Sequence, residues 1–180
     1  MKDIKMRKVE LHELEEVVSF YQTVLDESIQ NGGAAAYGRN KHFLADVLWN
    51  AMLEHELCVG ELEHEIVAAM IVNHSFTEYE KSEWQKNNHA KDVVVIHSLA
   101  VHPEHRRQGT AKMMIRYAIG MAMAEGKAKV QMDVLDTDTA LKKTLDSIGF
   151  TYNSTLVVNR EHAGCESYEL YEKEYFVEST

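Results

Sequence analysis

A single proline, Pro103, and only nine glycines leave this chain without any stretch that reads as a Pro/Gly linker, and no repeat or low-complexity tract interrupts it. At 180 residues it has the length of one ordinary domain with a sizeable core, so residues 1–180 are expected to fold as a single domain. The two cysteines, Cys58 and Cys165, lie far apart and outside any CxxC spacing, which indicates neither a zinc site nor a redox pair. Both are expected to be reduced thiols, and a nucleophilic role for Cys165, in its polar Gly-Cys-Glu setting, would need a positioned base that the sequence does not supply. No apolar run approaches the ~20 residues that a spanning helix needs, and the start, Met1 to Glu10, has no apolar h-region. A cytoplasmic location without membrane contact is the expectation. The basic residues are scattered, and a formal net charge of -10 would repel a phosphate backbone, so nucleic acid is not an expected partner. The same acidity suits cationic substrates such as amines, and equally suits solubility.

What is present reads as an ordinary globular protein, with 45% hydrophobic and 27% charged residues. Ile4 to Val9 alternates as an edge strand does, and His12 to Ile29 carries Leu14, Val17, Val18, Tyr21 and Leu25 at helical spacing. After a Gly/Ala-rich connection, Phe43, Leu44, Val47, Leu48, Ala51 and Met52 mark a second helix. Leu57–Leu62 and Glu65–Asn73 form a hairpin about Glu63 and His64. Val93 to Val101 is a short continuous apolar run rich in valine, the pattern of a central strand buried on both faces. Thr110 to Glu125 is a helix with Met113, Met114, Tyr117, Ala118, Met121 and Ala122 facing the core, stopped at Gly126. A strand over Val130–Val134, a helix over Thr139–Ile148 closed by Gly149, and a pair of strands over Thr151–Tyr175 complete an α/β pattern with a mixed sheet. The charged run Glu166 to Glu178, interleaved with Tyr168, Tyr171 and Tyr175, is expected to be an exposed edge strand, where a homodimer contact would form.

The chemistry is expected where the buried strand turns into a helix. Arg106, Arg107, Gln108, Gly109, Thr110, Ala111 and Lys112 form a basic, glycine-containing loop opening a helix. The small residues let backbone approach a diphosphate, and the first-turn amides and helix dipole favour its charge. Neither GxxxxGK[ST] nor GxGxxG is present, which sets aside P-loop and Rossmann readings. The strand ending Leu99, Ala100, Val101, then His102, Pro103, Glu104, then Arg106-x-x-Gly109-x-Ala111, resembles the central motif of the GNAT superfamily of N-acetyltransferases. The resemblance is tight from Val93 to Phe150. It implies the GNAT fold, a mixed and mostly antiparallel sheet of six to seven strands flanked by four helices. It also implies acetyl-CoA as co-substrate with no metal, the pantetheine arm on the backbone of Leu99, Ala100 and Val101, and the pyrophosphate on amides from Arg107 to Lys112. Gly149 and Phe150 match the family, whereas its usual asparagine and tyrosine positions hold Asp138 and Leu145; Asp138 is carried as a cofactor-binding candidate.

His97, Ser98, Leu99, Ala100, Val101, His102 is most similar to the arylalkylamine branch, which includes serotonin N-acetyltransferase and in which a histidine of this strand takes part in proton removal. His97 is therefore the candidate general base, against the alternative of a histidine satisfying a local hydrogen bond. Tyr152, water or the same imidazole would protonate the leaving thiolate. His102, Glu104 and His105 lack further ligands at recognisable spacing, so no metal centre is expected. The implied function is transfer of an acetyl group from acetyl-CoA to an amine of a small molecule or peptide by direct attack. The alternatives are a coenzyme A-binding module without turnover, or another acyl donor or acceptor. The acceptor pocket is expected among three loops, Gln30–Lys41, Phe76–Asp92 and Leu156–Ser167.

Overall fold

The computed structural model describes residues 3–31, 41–74, 92–160 and 164–175. Most of the first two expected pocket loops, residues 32–40 and 75–91, lies outside them. The third does not form a long loop: Leu156 to Arg160 belongs to one strand and Gly164 to Ser167 to the next.

The chain divides into two compact units. The first comprises residues 1–71, 98–114 and 160–164. It opens with β1 (Lys5–Lys8), a 3-10 turn (Leu11–Glu13) and α1 (Leu14–Gln30), followed by α2 (Lys41–Leu53). Glu10 and Glu13 close a reciprocal capping box, and Arg7 binds both Glu13 at 2.6 Å and Glu61 at 2.8 Å, tying the strand to the turn. In α1 the apolar positions Val17, Val18, Phe20 and Tyr21 are buried on one stripe. They pack with Leu44, Leu48, Ala51 and Met52 of α2 over Leu57, Val59, Ala69 and Ile71. The hairpin strands β2 (Leu57–Leu62) and β3 (Glu65–Asn73) pair antiparallel. Their connection, Glu63 and His64, has φ of 53° and 70°, the two-residue turn whose twist matches a hairpin. β1 lies antiparallel on β2 at the sheet edge, as its alternation predicts. Gly60 keeps that contact close, because a Cβ would lie 3.0 Å from Ile4 and 3.1 Å from Met114 Sδ and one of those side chains would have to give way.

The second unit comprises residues 72–97, 115–159 and 165–180. β4 (Val93–Val101) and α3 (Thr110–Ala124) run from one unit into the other. β5 (Lys129–Leu135) lies parallel to β4, from Val93 opposite Lys129 to Ile96 opposite Met132. Then come α4 (Thr139–Ser147), β6 (Thr151–Arg160) and β7 (Gly164–Glu174). α3 buries Met114, Ile115, Ala118 and Ala122. Gly126 ends it at φ 67°, with the Lys127 amide donating back to Ala122 O. Gly149, at φ 83°, does the same for α4, and the Phe150 amide donates to Leu145 O. Val93, Val95 and Leu170 form a small core against which Leu156 packs.

The hydrogen-bonded strand order among the described residues is β1-β2-β3-β4-β5-β7-β6, a seven-stranded mixed sheet with β4 in the middle. The expectation of an exposed edge over Glu166–Glu178 is corrected by that order as far as Glu174, and residues 176–178 lie outside the described residues. β7 is an interior strand, paired antiparallel with β5 from Lys129 opposite Glu174 to Leu135 opposite Tyr168, and β6 takes the edge. The partners of Glu169 and Glu172 on β7 are distant in sequence, whereas that of Glu166 is two residues away. Glu169 accepts from Lys142 at 2.8 Å, Glu172 accepts from Gln131 at 3.1 Å, and buried Glu166 accepts from Tyr168 at 2.8 Å.

Candidate functional site

In the first unit, the end of β4 leads into the candidate cofactor loop. Ser98 has φ of 56° inside a strand, where a non-glycine residue is strained. Tyr21 holds it: the phenol of this buried side chain donates to Ser98 O at 2.8 Å. Burial pushes that phenol's pKa up, so it stays a donor. Beyond Ser98, Leu99 and Val101 are half-buried and Ala100 is buried. The His102 amide donates to Val67 O at 2.9 Å, and Pro103 then opens a one-turn 3-10 helix, Pro103–His105.

The loop from Arg106 to Gly109 is exposed and internally braced. Gln108 Nε2 donates to Glu104 O at 2.8 Å, and the buried Thr110 hydroxyl donates to His105 O at 3.0 Å. Arg107 at φ 57° and Gly109 at φ 83° turn the backbone so that α3 starts directly, with the Met113 amide donating to Gly109 O. A Cβ on Gly109 would meet nothing within 4 Å, so this cradle is open. The amides of Thr110 and Ala111 have no carbonyl four residues back inside the helix, the usual state of a helix start and the one that accommodates an anion. A diphosphate fits these residues.

Arg106 is placed differently from a free cation. Its guanidinium donates to Glu27 Oε2 at 2.7 Å and to Val101 O at 3.2 Å, pinning the loop to the last turn of α1. Arg107 is exposed and Lys112 half-buried on the first turn. His102 and His105 stack edge to face at 5.9 Å, and the Glu104 amide donates to His102 Nδ1 at 3.4 Å. Among the described residues no group of three or more His, Cys, Asp or Glu converges as a metal site.

In the second unit, His97 Nδ1 lies 2.9 Å from Asp133 Oδ1, with only 18% and 12% of the two side chains exposed. A carboxylate can only accept, so Nδ1 carries the proton and Nε2 is the acceptor nitrogen of the neutral ring. Asp138 is the N-cap of α4, where its Oδ1 accepts from the Leu141 amide at 2.9 Å. Leu145 is fully buried in the same helix. Tyr152 is 54% exposed, and its hydroxyl pairs with Thr155 at 2.9 Å.

Sequence reasoning missed Asp133, Tyr21 and Glu27. Asp133 had one local signal, a charge inside the strand Lys129–Leu135, but its partner depends on the register of β4 against β5.

Residues 18–150 match the Acetyltransferase (GNAT) family. No curated protein matches the chain. Among solved structures, an N-acetyltransferase from Staphylococcus aureus Mu50 is similar with a TM-score of 0.70 at 16% identity, covering 96% of this chain and 99% of that one. The yncA protein of Salmonella typhimurium, solved with its cofactor acetyl-CoA, reaches 0.71 at 13% identity over 99% and 98%. The ribosomal-protein-S18-alanine N-acetyltransferase of Escherichia coli reaches 0.68 at 14% identity over 98% and 96%. Identities this low carry the fold alone.

Proposed function

This chain belongs to the GNAT acetyltransferase family, which uses acetyl-CoA, and from that premise we propose that it transfers the acetyl group to an amine by direct attack. The observation that carries the reading is the open turn at Gly109 where α3 begins, at which a Cβ would meet nothing within 4 Å. The pyrophosphate is assigned to the amides from Arg107 to Lys112, with Arg106 bracing the loop from behind through Glu27. The pantetheine arm is assigned to the backbone of Leu99, Ala100 and Val101. Asp138, whose Oδ1 caps α4, is carried as a further cofactor-binding residue.

Bound acetyl-CoA supplies an activated thioester; the protein's own task is to deliver a neutral amine to it. An alkylammonium with a pKa of ~10.4 must lose a proton before it can attack, and an imidazole near ~6.5 accepts one at neutral pH. His97 is the assigned base, acting directly or through a water. The amide of Leu99 is assigned to the developing oxyanion. Tyr152 is a weak choice for protonating the thiol, because its hydroxyl pairs with Thr155 on an exposed strand. A thiol pKa of ~8.5 makes a dedicated acid dispensable.

Residues 1–180 are proposed to act as one acetyltransferase domain. The family match and the coverage of whole neighbouring chains support this. Within the amine class the acceptor is an amine of a small molecule or of a peptide or protein; the strand His97–His102 resembles the arylalkylamine branch, but Val95 stands where that branch has a second histidine. The test is release of coenzyme A, followed with a thiol reagent, across arylalkylamines, polyamines, aminoglycosides, amino acids and peptide N-termini. Turnover with one class identifies the acceptor.

A second reading, a coenzyme A-binding module without turnover, is favoured by the fully buried Leu145 where the family usually has a tyrosine. Tight coenzyme A binding with no release from any acceptor would select it.

A further inference from the structure

Within the second unit, the parallel ladder between β4 and β5 ends at Ile96 opposite Met132. One residue further on, the bond between His97 Nδ1 and Asp133 Oδ1 extends the pairing by a rung made of side chains. The pair therefore sits where the backbone ladder stops, each member carried on a strand, which is the most rigid support a side chain can have. Immediately after His97 the chain enters the left-handed Ser98 and then Leu99.

From this placement we propose that Asp133 is the positioning residue of the transferase: it sets the tautomer and orientation of the His97 imidazole and stabilises the imidazolium that forms when His97 takes a proton from the acceptor ammonium. The inference rests on the proposed role of His97 as base.

Three observations carry it. The first is chemical: a carboxylate on Nδ1 leaves Nε2 as the basic nitrogen of the neutral ring, so one tautomer is held in place of two that exchange. The second is electrostatic. On this face of β5 and β7 the register also places Lys129, Glu172 and Glu174, and the one cation among them is already engaged by both carboxylates, Lys129 Nζ lying 3.4 Å from Glu172 and 2.8 Å from Glu174. The residue opposite Asp133 on β7 is Leu170, which is fully buried and uncharged. Among the described residues, His97 is the side chain that Asp133 meets, at 2.9 Å. The third is economy of placement: a half-buried carboxylate inside a strand costs desolvation that a valine would avoid, and the neighbouring positions Val130, Met132 and Val134 are all apolar and buried.

The proton balance is complete. The ammonium gives one proton to Nε2, the neutral amine forms the C–N bond as the C–S bond breaks, and the second nitrogen proton goes to the departing thiolate. The imidazolium then returns its proton to solvent.

The test uses the full chain with Asp133→Asn, Asp133→Glu and His97→Gln. Two readouts are needed: the NMR titration of the His97 ring and the pH profile of kcat/KM for the acceptor. In Asp133→Asn the titration midpoint is expected to fall by roughly one pH unit, because an opposite charge in contact is lost. kcat/KM at pH 7 is expected to fall on the order of 10²-fold with its acidic limb displaced, while the thermal shift on acetyl-CoA is unchanged. Asp133→Glu is expected to recover part of both. A His97 midpoint unmoved in Asp133→Asn overturns the positioning role outright. A midpoint that moves while both Asp133→Asn and His97→Gln retain wild-type kcat/KM instead overturns the base assignment, and with it the catalytic meaning of the pair. The two failures are thereby told apart.

Discussion

At the level of single side chains, the two thiols stand in opposite surroundings. Cys58 is buried in β2, and burial pushes its pKa up to about 11, whereas Cys165 is exposed on β7. Since the thiolate is the reactive form, one equivalent of a thiol reagent is expected to react rapidly with the native protein at pH 8 and a second only after unfolding. Two fast equivalents would contradict the burial of Cys58. A coenzyme A-release assay therefore needs Cys165→Ser or a blocked enzyme. His97→Gln is expected to lower kcat on the order of 10²-fold at pH 7, with the deficit shrinking as pH rises and free amine becomes available. A wild-type kcat and pH profile would return His97 to a structural role. The place of His97 in β4 was legible because its signal is local, a histidine inside a valine-rich strand just before the family motif. Its partner was not. Asp133 is 36 positions away, and the contacts made by Tyr21 with Ser98 and by Glu27 with Arg106 span 77 and 79. Pairings of that range follow from strand register and helix placement, which composition and periodicity do not encode.

Secondary-structure elements follow the same division between near and far. The hairpin β2–β3, the span of β4, and the stops of α3 and α4 at Gly126 and Gly149 are set by residues within a few positions of each other, and each reads correctly from the sequence. The neighbours of β7 are set by strand order, so its run of glutamates mimics an edge. For α3, the opening turn carries its own prediction. Acetyl-CoA at ~100 times its dissociation constant should stabilise the fold by about 2.7 kcal/mol through mass action, visible as a rise in Tm. Gly109→Glu is expected to abolish that rise by placing a carboxylate in the anion cradle. Gly109→Ala is the informative control: the site has room for a methyl, yet φ of 83° disfavours any L side chain. It should therefore lower basal stability while retaining most of the ligand shift. An undiminished shift in Gly109→Glu would place the cofactor elsewhere.

For the molecule as a whole, the ion pairs predict an acid limb. The Arg7 guanidinium holds Glu13 below the usual carboxylate range, and Lys142 does the same for Glu169. Groups with lowered folded-state pKa values contribute stability that is present above the ordinary 4.5 and is lost as pH falls through the lowered values. Glu169→Gln should thus unfold at lower urea than the parent at pH 7, with the two midpoints converging as pH drops below about 4. A gap that persists at pH 3 would mean that Glu169 acts by packing and not by charge. Strand order has a further consequence, for the sequence in which the protein can be made. β7 follows β6 in the chain yet lies between β5 and β6. A nascent chain that has emerged only as far as Arg160 holds β5 and β6 complete but cannot join them. The backbone of β5, flanked by the apolar Val130, Met132 and Val134, faces outward until Gly164–Glu174 arrives to occupy the gap. Translation that pauses or ends in this interval exposes an adhesive edge, so the second unit closes only when its keystone strand is delivered.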